Sequence, residues 1–247
     1  RQVAYYDRHM AQCDLFLAIT GNYWFDRIDQ AAIRRWKPKM RHLDLAVNRS
    51  FFPFVKTSFN PPGQRKFLYI GHTAHNKNVG YLSQLQRQCQ SVDISWAGRG
   101  RKKIPGVHVL GFMDFSQPEA RAKVAQFDFM ITVGAMDANP TTILEAMAWG
   151  LIPTVTMQSG YENRAGIVNV PLNDPAAAEI VFRKLQAASD AELRETQRLG
   201  QEALDSHYRW DRFYDQVRTA IEGTESPAIR AATWKERLLI KTFDLVH

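Results

Sequence analysis

The chain has 247 residues, of which 45% are hydrophobic, 23% charged and 11% aromatic, with 14 Gly, 11 Pro and 2 Cys. That composition excludes a disordered chain, a collagen-like repeat and a disulfide scaffold, and no apolar run approaches the ~18 residues of a membrane span. Lys plus Arg number 32 against 25 Asp plus Glu, a net charge of +7, which serves either as a solvated basic surface or as an attraction for polyanions and phosphorylated ligands.

In chain order, 15–19 reads as a strand, 23–35 as a helix and 43–47 as a second short strand. Residues 54–66, with Asn60-Pro61-Pro62-Gly63, read as a linker between domains. A regular alternation follows. Strands are expected at Phe67–Ile70, 92–97, 107–110, 129–133, Ile152–Thr156 and 166–170. Helices are expected at 78–88, 118–126, Thr141–Trp149, 174–187 and Asp190–Ser206.

Alternating strands and helices imply an α/β fold, a Rossmann-like parallel sheet covered by helices on both faces. In such sheets ligands bind beyond the carboxyl ends of the strands, which singles out the loops after Ile70, Leu110 and Val133. Two aromatic stripes at helical spacing, Trp210/Phe213/Tyr214/Val217 and Trp234/Leu238/Leu239/Phe243, read as faces buried against another element. Lys235, Arg237 and Lys241 leave a membrane-surface helix as the minority reading of the second stripe.

The basic patches Arg99-Gly100-Arg101-Lys102-Lys103 and Lys37-Pro38-Lys39-Met40-Arg41 fall in no nucleic-acid-binding motif. Cys13 and Cys89 are far apart and lack metal-ligand spacing, so a reducing compartment is expected. The chain starts at Arg1, which leads to the expectation of a natural start further upstream.

The segment Gly134-Ala-Met-Asp-Ala-Asn-Pro-Thr-Thr-Ile-Leu-Glu-Ala-Met-Ala-Trp-Gly150 follows an apolar strand and opens a helix. Asn139 is suited to cap that helix and Pro140 to its first position. The backbone N–H groups of Thr141 and Thr142 would then present an anion site, strengthened by the helix dipole. Glu145 lies on the same face as Thr141. Carboxylates hold ribose diols by accepting their hydroxyl protons, so Asp137 and Glu145 around an anion site suggest a nucleotide-sugar. The alternative is that both are helix-terminal acids complementing the dipole. In the segment 67–80, Gly71 permits a tight turn and close ligand approach, and His72 and Lys77 could face a diphosphate. The segment fits neither the P-loop nor the GxGxxG pattern.

Together these segments resemble the C-terminal domain of GT-B glycosyltransferases of the retaining family 4 type. That family carries two Glu separated by seven residues, followed by Ala-Met-Ala-x-Gly; here Asp137, Glu145 and Ala146-Met147-Ala148-Trp149-Gly150 stand in those places. The first acid is Asp, with a shorter reach. After its first strand the family has Gly-Arg, then Lys-Gly; here His72 takes the Arg place, Lys77 is in register, and Asn78 replaces the last Gly. Residues 44–53 are similar to the segment that leaves the family's N-terminal domain, and 13–20 to that domain's last strand. The helix around Trp210 is similar to the one that crosses back. The resemblance implies four regions: 1–53 as the remnant of an acceptor-side domain, 54–66 as linker, 67–206 as the nucleotide-sugar-binding domain, and 207–247 as crossing helices.

It also implies an activity: transfer of a sugar from a nucleotide-sugar donor to a glycan or lipid-linked acceptor, with retention of configuration and with neither metal nor resident cofactor. Glu145 would hold the ribose and Asp137 the donor sugar. Lys77 and His72, with the amides of Thr141 and Thr142, would hold the diphosphate. Phe112 and Met113 would meet the base, and Arg99 and Arg101 lie on a neighbouring loop. The expected setting is cytoplasmic, with peripheral contact at the inner membrane face and a role in cell-envelope polysaccharide synthesis. No nucleic-acid partner is expected. The alternatives on the same fold are a sugar-nucleotide epimerase and a noncatalytic nucleotide-sugar-binding protein.

Overall fold

The computed structural model describes residues 2–100, 103–223, 231, 233 and 234. Six strands form its main sheet: β3 (Phe67–Ile70), β4 (Ile94–Ala97), β5 (His108–Gly111), β6 (Phe129–Thr132), β7 (Ile152–Thr156) and β8 (Val168–Val170). Their order is β5-β4-β3-β6-β7-β8, and each neighbouring pair is parallel. The order reverses between β3 and β6, which makes the crevice above these two strands the topological switch point of a doubly wound sheet.

The strand sequences explain the layering. Side chains alternate between faces with a period of two. Phe67, Tyr69, Phe129 and Ile131 enter one core, shared with Tyr81, Leu82 and Leu85 of α3 (Val79–Gln88) and Phe182 of α6 (Pro175–Ala187). Leu68 and Met130 point the other way, into a core with Leu144, Met147 and Trp149 of α5 (Thr141–Trp149) and Leu204 of α7 (Asp190–Ser206). The rings of Phe67 and Phe129 stack across the switch point with centroids 4.8 Å apart. The short helix α4 (Pro118–Val124) leads into β6.

Local chemistry sets the helix ends. Asp174 caps α6 through the amide of Ala177, and Ser189 with Glu192 forms a capping box at the start of α7. Gly150 ends α5 at φ 91°, where a side chain would be strained and a Cβ would meet the ring of Phe54.

The N-terminal part is a small satellite. Helix α1 (Gln2–Gln12) precedes β1 (Phe16–Ala18), which pairs in parallel with β2 (Met40–His42) over a core of Met10, Ala18, Ile28, Trp36 and Met40. The expected helix over 23–35 does not form as one element. Helix α2 spans only Asn22–Asp26, and 3-10 turns follow at Ile28–Gln30 and Arg34–Lys39. The break lets Arg35 and the Trp36 indole reach Asp7, and Pro38 prevents further winding. The second strand lies at 40–42 rather than 43–47. Leu43 still donates to the Ala18 carbonyl, but Asp44 leaves the ladder for Arg164, Arg212 and His207.

Residues 54–66 are irregular but anchored. Buried Lys56 sits 3.0 Å from Asp128, whose carboxylate also accepts the amides of Asn60 and Lys66. Arg65, also buried, reaches Asp190 and the Ala188 carbonyl.

The last described helix, α8 (Trp210–Glu222), has no buried residue. Trp210, Tyr214 and Ile221 are exposed, so the expected burial of the first stripe is not met among the described residues. The three aromatic rings at 210, 213 and 214 pack on one another instead. The second stripe, apart from exposed Trp234, lies outside the described residues, as does Arg101.

Candidate donor site at the switch point

The loops after β3 and β6 meet above the sheet. The β3 loop runs from Gly71 through a 3-10 turn at His75–Lys77 to Asn78, which takes a left-handed conformation (φ 51°, ψ 40°) before α3 begins. Asn tolerates that conformation better than other non-Gly residues, which is how it stands where the resembling family has Gly. The turn aims Lys77 across the crevice.

Lys77 Nζ lies 2.6 Å from Asp137 Oδ2. Asn76 Nδ2 donates to Asp137 Oδ1 at 3.2 Å, and the Asn76 carbonyl accepts the Ala135 amide at 3.2 Å. Both carboxylate oxygens of Asp137 are thus held from the opposite loop, and Asp137 is buried. The stitch requires Gly134, because a Cβ there would lie 2.5 Å from the Asp137 Cβ. Asn76 is the site residue that the sequence pattern did not flag. Its only signal was its place beside Lys77.

The start of α5 differs from the expectation. Pro140, in extended conformation, occupies the capping position without a side-chain cap, and Thr141 begins the helix. Asn139 sits one residue earlier at φ 60°. The cause is tertiary: the Asn139 amide donates to the Ser159 carbonyl at 3.1 Å, which holds the residue against Gly160 and away from the cap. Its side-chain Nδ2 is buried without a hydrogen-bond partner. The free helix amides of the first turn belong to Thr141 and Thr142 as expected, since the ladder of α5 opens with the Ile143 amide on the Pro140 carbonyl.

Glu145 lies one turn into α5 and is half-buried. Burial pushes its carboxyl above the usual range, against a hydrogen bond from the Thr141 side chain.

His72 is exposed, and its Nδ1 accepts the Ala74 amide at 3.2 Å, so Nε2 is the ring atom turned outward. Phe112 and Met113 follow β5, two strands from β3 and so ~10 Å from the switch point. Phe112 is exposed with the Arg99 guanidinium 3.9 Å above its ring. Met113 is partly buried against the α5 core. The structure therefore joins Asp137 and Lys77 directly, places Gly71 and His72 on the β3 loop and Asn139, Thr141, Thr142 and Glu145 on the β6 loop and α5 that follow Asp137, and puts Phe112 and Met113 on the loop after β5. No cluster of metal-ligating side chains occurs among the described residues.

No protein-family model and no curated protein match the chain. Solved structures do. Sucrose-phosphate synthase from Thermosynechococcus elongatus superposes with a TM-score of 0.66 at 16% identity, over 86% of this chain and 59% of that one. Anabaena HepE, solved in complex with UDP and glucose, gives 0.62 at 12% identity, over 85% of this chain and 63% of that one. A variant of S. aureus TarM, solved with fondaparinux, alpha-GlcNAc-glycerol and UDP, gives 0.66 at 12%, over 90% of this chain and 47% of that one. These are GT-B glycosyltransferases, and the chain has their Rossmann-like fold. It spans less than two thirds of the length of each of the three. No helix among the described residues is long and apolar enough to cross a membrane.

Proposed function

We propose that this chain is the donor-binding part of a glycosyltransferase that moves a sugar from a nucleotide-sugar to an acceptor hydroxyl with retention of configuration. The observation that carries the reading is the Lys77–Asp137 pair at the switch point, beside the first turn of α5. A cation, free helix amides and an oriented carboxylate within one crevice match the three parts of a nucleotide-sugar: diphosphate, its leaving oxygen, and sugar hydroxyls. The UDP complexes of HepE and TarM, proteins of the same fold, support a uridine nucleotide as the first to try.

In this reading Glu145 accepts from the ribose hydroxyls and Asp137 from the donor sugar. As the bond from the anomeric carbon to the phosphate oxygen breaks, negative charge collects on the departing diphosphate. Lys77 and the amides of Thr141 and Thr142 stabilise it in place, which lowers the barrier because they need no reorganisation. His72 Nε2 adds a donor at the mouth. Phe112 and Met113 meet the base at the β5 edge. Residues 1–53 belong to an acceptor-side domain, 67–206 form the donor domain, and α8 returns toward the first; most of 207–247 beyond it lies outside the described residues. The acceptor is a glycan or lipid-linked sugar, and no step requires a metal held by this chain.

The test is a thermal shift with UDP, GDP and ADP, on the chain and on Glu145→Ala. A ligand that binds only the folded state adds about 2.7 kcal/mol at a hundred times its Kd. A shift with one nucleotide that disappears in Glu145→Ala is expected. Absence of any nucleotide shift in the folded chain, repeated with the complete protein, would sink the reading. A second reading rests on Lys77 being already paired with Asp137. A noncatalytic nucleotide-sugar-binding protein would bind the intact donor and release neither nucleotide nor glycoside. An epimerase would return an altered sugar on the same nucleotide.

A further inference from the structure

Two polar side chains that no part of the proposed mechanism uses rise from the core into the β3 loop. Tyr69 on β3 and Trp96 on β4 are register partners, both buried on the α3 face of the sheet. Trp96 Nε1 donates to the Gly71 carbonyl at 2.8 Å, and Tyr69 Oη donates to the His72 carbonyl at 2.7 Å. Two successive carbonyls of a loop at the ligand crevice are therefore pulled down toward the core by aromatic side chains.

The consequence follows from peptide geometry. Every described peptide is trans, and in a trans peptide the N–H points opposite to the C=O. Drawing the Gly71 carbonyl toward Trp96 turns the His72 N–H away from the core, toward the mouth of the sheet. Fixing the His72 carbonyl on Tyr69 anchors the next peptide, His72–Thr73, so residue 72 is held on both sides. The glycines around it fit the same purpose: a Cβ at Gly98 would lie 2.0 Å from the Gly71 carbonyl oxygen and 2.8 Å from Trp96 Nε1, and one at Gly71 would lie 2.9 Å from Tyr69 Oη. The close approach of all three groups is thus built into the sequence. Burial raises the Tyr69 phenol far above its ordinary range, with Asp137 adding to the shift, so the hydroxyl stays a donor.

We propose that Trp96 and Tyr69 are positioning residues that aim the His72 backbone N–H at an anionic oxygen of a bound diphosphate, making the main chain of the β3 loop a phosphate contact beside Lys77. This rests on the nucleotide-sugar reading of the site. It assigns a phosphate contact to the backbone of residue 72, independent of which side chain stands there.

The test uses Tyr69→Phe, which removes only the hydroxyl, and Trp96→Phe, which removes the indole donor and keeps a smaller aromatic ring in its place. Calorimetric titration compares the nucleoside diphosphate that stabilises the wild-type chain with the corresponding nucleoside. The expected result is a rise of about tenfold in diphosphate Kd with nucleoside Kd unchanged. If either variant fails to fold, the wild type decides. With 15N labelling, the His72 amide resonance is expected to move on titration with the diphosphate and to stay still with the nucleoside. Diphosphate affinity unaltered in the variants, diphosphate and nucleoside weakened alike, or a His72 resonance unmoved by the diphosphate would overturn the inference while leaving the donor site standing. A wild-type chain and complete protein that bind no nucleotide would overturn both.

Discussion

Lys77 and Asp137 bridge the two loops of the switch point at 2.6 Å, with Asn76 on the other carboxylate oxygen. The pair is mostly shielded from water, so its members depend on each other more than an exposed ion pair does. Lys77→Met and Asp137→Asn are each expected to cost about 1–3 kcal/mol, and the double variant less than their sum. Urea denaturation of the four proteins measures the coupling. Additive losses would mean that the bridge is not an energetic unit. Under the nucleotide-sugar reading, Lys77→Met also weakens nucleoside diphosphate binding by about tenfold or more.

Glu145 separates function from stability. Burial raises its carboxyl pKa in the folded chain, against the Thr141 hydrogen bond. An acid whose folded pKa lies above its unfolded value binds more protons when folded, so it loses stability as pH rises between the two values. Glu145→Gln removes the buried charge and is expected to melt at or above the wild-type temperature at neutral pH, with the difference vanishing in acid below the ordinary Glu range. The same variant is expected to lose its nucleotide-induced thermal shift. A variant that melts markedly lower at neutral pH would show that the carboxylate is structural.

Much of this frame was legible in the sequence. Phe67–Ile70, Ile152–Thr156, Thr141–Trp149 and Asp190–Ser206 occur as read, because apolar strand runs and capping residues act locally. The stretches that misled are those where distant contacts prevail. Asn139 carries an N-cap side chain, yet the Ser159 carbonyl takes its amide. The pattern over 23–35 is helical, yet Trp36 and Arg35 turn inward to Asp7. Residues 43–47 alternate like a strand, yet Asp44 is drawn to His207 and Arg164. The spacing of Asp137 and Lys77 could mark both residues, but not that they touch. That requires the strand order, which brings β3 beside β6 so that two residues 60 positions apart meet.

Gly134 is the smallest change that tests the stitch. A methyl there would fall 2.5 Å from the Asp137 Cβ and 3.3 Å from the Asn76 carbonyl oxygen. Neither neighbour is the free end of a flexible chain, so the β6 loop must shift. Gly134→Ala is expected to cost about 1–3 kcal/mol and to weaken nucleotide-sugar binding more than binding of the free nucleotide, because Asp137 is assigned to the sugar. Equal weakening of both ligands would count against that assignment.

Asp44 ties the exit of β2 to the junction of α7 and α8. Its carboxylate faces His207 and Arg212 from that junction, Arg164 from the loop between β7 and β8, and His42 from β2. Burial alone would raise its pKa. The His207 hydrogen bond and charge, with Arg164 and His42, outweigh burial and leave it lowered. A carboxyl lowered on folding stabilises the chain above its unfolded pKa of about 3.9, and the contribution disappears as pH falls through the folded value. Asp44→Asn is therefore expected to lose about 1–3 kcal/mol at neutral pH. The gap to wild type closes as the medium becomes more acidic than the ordinary Asp range. Urea denaturation at neutral pH and at about pH 3 gives both points. A gap that stays constant across this interval would place the effect in packing rather than charge, and Asp44 would then be a spacer between segments rather than the ionic clasp that joins them.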